Sequence, residues 1–407
     1  MRLLHTSDWH LGQHFMGKSR QAEHQALIDW VVRQAEQQAV DALLLVGDVF
    51  DSGAPPSYAR ALYSQLVVGL HRAGCALVVL GGNHDSVAVL EENRAMLHCL
   101  GATVIAAVDN DPTRQLLLLT DRSGQPGALL CATPFIRPRD VLLSQVGQSA
   151  EAKQLALQTA IQQHYQQLHQ HAVAQREALG LPQLPIVATG HLTTVGASAS
   201  ESVREIYVGA LEAFPTKAFP PADYIALGHI HRAQQVGGLN HIRYSGAPIA
   251  LSFDEASLPR QLWRVDLDAQ GLRAVEALPV PCHQPLASVR GSLASLPAAL
   301  AQAARASLDG QPVWLEVTVD SDDYLADLSA RIQALADGLP LEVLRIRRAR
   351  GQTSARLQAE HSETLDQLSP QDVFARRLAQ EDLSAELQQQ LQQRHQQILN
   401  QLQEPAA

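Results

Sequence analysis

The chain has 407 residues, too many for one compact core, so two or three domains are expected. Its composition, 46% hydrophobic and 18% charged, is that of a globular protein, with no apolar run long enough to span a membrane. A formal net charge of -10 excludes a protein that coats nucleic acid by charge alone, but not a nuclease whose metal ions bring positive charge to the phosphates.

The opening residues, Met1 to Asp8, turn polar too early for a signal peptide and read as a strand. Cys75, Cys99, Cys131 and Cys282 show no metal-binding spacing, so buried thiols in a reducing cytoplasm are expected. Up to about residue 110 the chain alternates strand and helix. Strands are predicted at Leu3 to Ser7, Ala42 to Val46, Ala76 to Leu80 and Thr103 to Ala106. Between them, Leu27, Ile28, Val31, Val32 and Ala35 recur at helical spacing, and Ser57 is placed to cap a helix carrying Leu62, Leu66 and Leu70. This alternation implies an α/β fold with a mostly parallel sheet.

Leu116 to Leu119 and Ala128 to Ala132 form a further strand pair. A Gln-rich helix from Ala150 to about Leu179 buries Leu157, Ile161, Tyr165 and Leu168, and Pro182 and Pro185 are expected to end it. Strands at Ile186 to Thr189, Tyr224 to Leu227, His241 to Tyr244, Gln261 to Leu267 and Arg273 to Val280 suggest a second sheet packed on the first. Composition shifts at Pro279 to Pro285, and a small βαβαβ domain follows. The expected organisation is a two-sheet core flanked by helices over 1–280, the small domain over 281–349, a linker over 350–368 and a C-terminal helical pair over 369–404. Leu387, Leu391, Ile398 and Leu402 make an a/d-like stripe on the last helix, for packing on the protein itself or docking on another protein's helix.

The chemistry lies at the strand ends. Asp8-Trp9-His10, Gly47-Asp48-Val49-Phe50-Asp51, Gly82-Asn83-His84-Asp85, Gly190-His191 and Gly228-His229-Ile230-His231 each follow an apolar run. Any one of these is usually an ordinary loop, and most of the 17 histidines are given no role. Five in sequence, each at the edge where α/β sheets place ligands, point to one site. Carboxylate, imidazole and amide oxygen without thiolate suit Mn, Fe or Zn. A carboxylate shared by two metals, here Asp48, suits in-line displacement at phosphorus. His84 can give the leaving oxygen its proton, with Asp85 expected to orient the ring. Glycine before four of the five ligand groups permits a sharp exit from the strand.

This ordered set resembles the calcineurin-like metallophosphoesterase superfamily, and the wider chain is similar to a bacterial branch of nuclease subunits. The branch likeness includes His5 to Gly12, Pro55 to Arg60, Gly190 to Ala197 and Ile225 to Arg232. The resemblance implies a two-sheet metallophosphoesterase core with a DNA-capping small domain. It implies one metal held by Asp8, His10, Asp48 and His231, a second by Asp48, Asn83, His191 and His229, and His84 as catalytic acid. It further implies two divalent ions, Mn2+ foremost, and DNA as substrate. Also implied are C-terminal helices docking on the coiled coil of an SMC-like ATPase, a homodimer within a heterotetramer, and a cytoplasmic, nucleoid-associated location without a membrane. Asp51 stands where other relatives carry a second histidine, so it is expected to orient a neighbour and not to bind metal. Arg345, Arg347, Arg348, Arg350, Arg137, Arg139, Lys18 and Arg20 are candidates for phosphate contact, although Arg345 and Arg347 equally fit the solvated face of a strand. The core motifs alone equally suit a phosphoesterase acting on nucleotides or phosphoproteins. A non-catalytic scaffold is disfavoured, because unused buried charge is costly.

Overall fold

A computed structural model describes residues 1–142, 149–200, 202–203, 213–308, 310–320 and 327–349, with 391 and 394–395. The expected linker, and the C-terminal helices with their a/d stripe, lie outside the described residues, save for those last isolated positions. Met1 to Asp320, with residues up to Arg347, belong to one compact unit.

The first sheet has six strands in the order Gly271–Pro279, Gln261–Asp268, Arg2–Thr6, Ala42–Val46, Ala76–Leu80, Ala102–Ile105. The last four are parallel, as strand–helix alternation demands. The first two correct the expectation that residues after 260 extend the second sheet: Gln261–Asp268 pairs antiparallel with the N-terminal strand, Leu3 opposite Val265. Helices Gln21–Gln37 and Ser57–Arg72 bury Leu27, Val31, Leu62 and Leu66 against this sheet's outer face. The second helix is not capped by Ser57. Pro56 is its N-cap, extended at φ -64°, ψ 157°, and makes no side-chain cap, so Ser57 is already helical.

The second sheet runs Gln234–Val236, Leu239–Tyr244, Tyr224–Gly228, Ile186–His191, Pro126–Cys131, Leu116–Thr120. Its outer face is covered by helix Ala150–Ala178 through Leu157, Ile161, Tyr165 and Leu168. That helix ends at Gly180 (φ +67°), whose N–H bonds the Glu177 carbonyl while Leu181 N–H bonds that of Arg176. A left-handed glycine therefore stops it, before either proline is reached. The inner faces meet through Leu44, Val46 and Val78 on one side and Leu130, Val187 and Ala226 on the other.

The segment expected to form the small domain holds a three-stranded sheet, Leu286–Gly291, Val313–Val319, Leu341–Arg348, with helices Leu296–Ala304 and Leu328–Ala336. Leu300, Leu315, Val317 and Ile332 form its own core. It meets the larger part where Phe15 stacks on Trp314, centroids 5.8 Å apart, and packs edge-on against Phe253 at 4.9 Å. All four cysteines are free. Cys75 and Cys131 are buried, but Cys99 and Cys282 are exposed, against the expectation of buried thiols.

Candidate metal centre

The parallel strands of the two mixed sheets end on one side, and the chain carries its pairing past the strand ends. Asp8 N–H bonds the Gly47 carbonyl (3.0 Å), Trp9 N–H the Asp48 carbonyl (2.9 Å) and Leu11 N–H the Val49 carbonyl (2.9 Å). The first two ligand loops are therefore stitched together. Asp8, His10, Asp48 and His229 all sit at positive φ, between 46° and 91°. Each carries strain that only surrounding contacts can hold, a pattern common at functional sites.

Asp48 is the hub. Its Oδ1 accepts the backbone N–H of His84 at 2.9 Å. Its Oδ2 lies 3.6 Å from His10 Nε2 and 3.3 Å from His191 Nε2. Three groups bring their ligand atoms within 4.8 Å of one another: Asp8, His10 and His231; His10, Asp48 and His84; Asp48, His191 and His229. Asn83 Oδ1 lies 2.9 Å from His191 Nε2. All eight site residues expected from the sequence thus converge. His10 Nε2 and His229 Nε2 are buried with no hydrogen-bond partner. Such orphaned ring nitrogens are costly unless something else engages them, so this donor set fits divalent cations.

The glycines serve close approach more than a sharp turn. Only Gly47 among the four has positive φ (+83°). A Cβ on Gly82 would lie 2.1 Å from Asp48 Oδ1, one on Gly228 2.0 Å from the Val46 carbonyl oxygen, and one on Gly47 2.1 Å from His191 Nδ1.

Most of the imidazoles are held from behind. Val46 C=O lies 3.0 Å from His191 Nδ1, Asp51 Oδ1 3.2 Å from His10 Nδ1, and the Asp51 carbonyl 2.8 Å from His84 Nδ1. The last contact corrects the assignment of Asp85 as the orienter of His84. Asp85 instead accepts the backbone N–H groups of Val49, Phe50 and Gly82, tying two ligand loops together. Glu255, which the sequence motifs do not reveal, lies 3.1 Å from His231 Nδ1 through Oε1. Its only local signal, Ser252 three residues earlier, reads as a helix start and not as a site.

The electrostatics follow burial and pairing. Burial alone would lower the His191 imidazole, but the adjacent Asp48 carboxylate outweighs it and lifts the group to about 9. Burial would raise Asp48, yet its histidines hold it well below the usual carboxylate range. His229 is pushed well down by burial and by neighbouring His191. Burial, reinforced by Asp48, raises Asp85 to about 6. Burial also opposes the charge on Glu255, but His231 and Arg260 bring it down to about 2.

The arginine expectations divide. Arg20 is buried and bonded to Glu23 (2.7 Å) and Gln13 (2.8 Å), so it cannot reach a phosphate. Lys18 pairs with Glu342, and Arg345 pairs with Glu316. Arg137 packs over Phe135, while Arg139 is 80% exposed. Arg350 lies outside the described residues.

Two sheets packed face to face with a carboxylate–imidazole centre just past their strand ends define a metallophosphoesterase. The calcineurin-like phosphoesterase family matches residues 1–233, and the type 5 capsule protein repressor C-terminal domain matches residues 282–382. The SbcD component of the SbcCD nuclease of Escherichia coli (strain K12) is 52% identical, with 96% of each chain covered. That of Rhodobacter capsulatus is 34% identical over 92% of this chain and 94% of the relative. The chain therefore belongs to the calcineurin-like phosphoesterases and, among them, to the SbcD nuclease subunits, metal-dependent phosphodiesterases of the hydrolase class. No helix among the described residues is long and apolar enough to cross a membrane.

Proposed function

We propose that the chain is a Mn2+-dependent DNA nuclease that hydrolyses phosphodiesters with two metal ions. It acts as an exonuclease on duplex ends and an endonuclease on single strands or hairpins. The observation that carries this is Asp48 Oδ2 lying between two imidazoles that belong to different ligand groups. In this reading Asp8, His10, Asp48 and His231 hold one ion, and Asp48, Asn83, His191 and His229 hold the other. When bound, the ions supply positive charge to the phosphate and lower the pKa of attacking water.

The chain's own groups do the rest. His84 stands beside His10, ring centroids 4.6 Å apart, with Nδ1 donating to the Asp51 carbonyl. The proton given to the leaving oxygen is then the one carried on Nε2. The small domain beside Phe15 and Phe253 caps DNA. The relatives are named as one component of an SbcCD nuclease, which supports assembly with an SbcC-type SMC-like ATPase, through C-terminal helices, as a homodimer within a heterotetramer. No nucleotide-binding P-loop occurs in the sequence, so ATP dependence comes from that partner. The setting is DNA repair, recombination and replication in a cytoplasmic, nucleoid-associated complex.

The test is Mn2+-dependent cleavage of end-labelled hairpin and linear duplex DNA, alongside a small phosphodiester. Asp48→Ala is expected to abolish both metal binding and cutting. His84→Ala is expected to keep the metal and lose cutting by about 10²–10⁴-fold. Hydrolysis of the small ester alone, even with the partner ATPase added, would replace DNA by a small substrate.

A further inference from the structure

We infer that Glu255 is a positioning residue of the metal centre: its buried carboxylate fixes His231 with the proton on Nδ1, so that Nε2 is presented to Asp8 and His10. The inference rests on the reading of His231 as a ligand. Glu255 is fully buried on the short 3-10 turn Phe253–Glu255, far in sequence from the ligand motifs. Its Oε1 takes the His231 Nδ1 contact at 3.1 Å and accepts from Ser200 Oγ at 2.6 Å and from Ser202 Oγ. Its Oε2 accepts the Leu251 N–H at 2.9 Å and lies 3.5 Å from Arg260 Nη2. Arg260 also donates to the Glu255 carbonyl. Neither oxygen is left free to swing, and the arginine offsets the buried charge.

The other histidine rings are held differently. His191 and His84 face backbone carbonyls, and His10 faces Asp51, whose side chain is 34% exposed. His231 faces a buried carboxylate, with Ser202 Oγ also 2.6 Å from Nδ1. A carboxylate behind an imidazole both fixes the tautomer and makes the opposite nitrogen a stronger ligand, and removing it typically costs about 10–100-fold in metal affinity.

The same turn has a second face. Phe253 packs against Phe15, centroids 4.9 Å apart, and lies under the Arg345 guanidinium, 5.3 Å from the ring centroid. The carboxylate that orients His231 is therefore anchored two residues from the seat of the small domain.

The experiment measures Mn2+ affinity by isothermal titration calorimetry on the full chain and on Glu255→Ala, Glu255→Gln, Ser202→Ala and His231→Ala, with melting curves in EDTA. The expected result is a loss of about 10–100-fold for Glu255→Ala. Glu255→Gln, which keeps an acceptor but not the charge, should lose less, and Ser202→Ala least. Should Glu255→Ala not fold, Glu255→Gln carries the test. A purely structural role would lower the EDTA melting temperature and leave the affinity of the folded variants unchanged, and that result overturns the inference. Wild-type affinity in His231→Ala would instead overturn the ligand reading beneath it, so the two failures are distinguishable.

Discussion

The candidate metal centre and the arginine-bearing strand Leu341–Arg348 handle charge in opposite ways. At the centre, Asp8, Asp48, His10, His191, His229 and His231 are all nearly inaccessible, and two ring nitrogens lack a hydrogen-bond partner. On the strand Leu341–Arg348, Arg345 and Arg347 share one acid, Glu316, with Arg347 3.6 Å away and half exposed. Buried charge in low dielectric is strong and must be engaged, whereas exposed paired charge is screened and contributes little. A cluster of like residues in sequence is thus a poor guide to function unless burial is known. The same contrast applies to glycine. Gly82 has an ordinary φ but no room for a methyl group, whereas Gly310, at φ +75°, has nothing within 4 Å of a would-be Cβ.

The largest test of this contrast uses those glycines. Gly82→Ala would drive a Cβ to 2.1 Å from Asp48 Oδ1 and 2.2 Å from its backbone nitrogen. We expect it to cost about 3 kcal/mol of stability and to abolish measurable metal binding. Gly310→Ala should cost about 1 kcal/mol from backbone strain and leave metal affinity untouched. Denaturant melts with parallel calorimetry decide it, and equal effects at the two sites would break the comparison.

A pH series gives the intermediate effect. His191 is raised to about 9 in the folded chain against 6.5 in the unfolded one, so its pairing with Asp48 stabilises fully below 6.5 and fades as pH climbs through 9. Metal needs the ring neutral, so binding must expel that proton. The metal-free chain is therefore expected to lose stability from pH 6.5 to 9, while apparent metal affinity rises by up to about tenfold per pH unit. Melting with EDTA and with Mn2+ across that range reads both, and a flat affinity would deny His191 its place at the metal.

The smallest effect is expected from Arg347→Ala. Anisotropy with labelled duplex at two salt concentrations should show DNA binding weaker by only a few-fold, with the salt slope reduced by about one. A loss as large as that from a site variant would show this face to be as decisive as the centre.

Much of the candidate site is legible in the sequence because the residues expected to be ligands obey a local rule: each follows an apolar run and stands just past a strand end of one of the two sheets. Leu43 to Val46 before Asp48, and Ile186 to Thr189 before His191, can be read one segment at a time. The groups behind the ligands cannot. The Asp51 carbonyl reaches His84, the Val46 carbonyl reaches His191, and Glu255 reaches His231 from a separate turn. None of these contacts leaves a periodic trace, because each exists only once distant segments have packed. The fold divides similarly. Parallel strands announce themselves through intervening helices, whereas the antiparallel pairing of Leu3 with Val265 has no local signal, and pattern alone assigns those late strands to the wrong sheet. Arg20 looks like a surface cation from its polar neighbours, but Ala250 and Glu23 enclose it in the folded chain.

That N-terminal strand has a consequence for biosynthesis. It lies between Ala42–Val46 and Gln261–Asp268, so one of its two pairing edges waits for residues made near the end of the phosphoesterase region. At synthesis rates of about 5–20 residues per second, that wait is roughly 10–60 s. During it an apolar strand has an open flank of the kind that recruits other chains. Asp8 is translated well before Glu255, so the earliest acids and imidazoles of the site precede the carboxylate that faces His231.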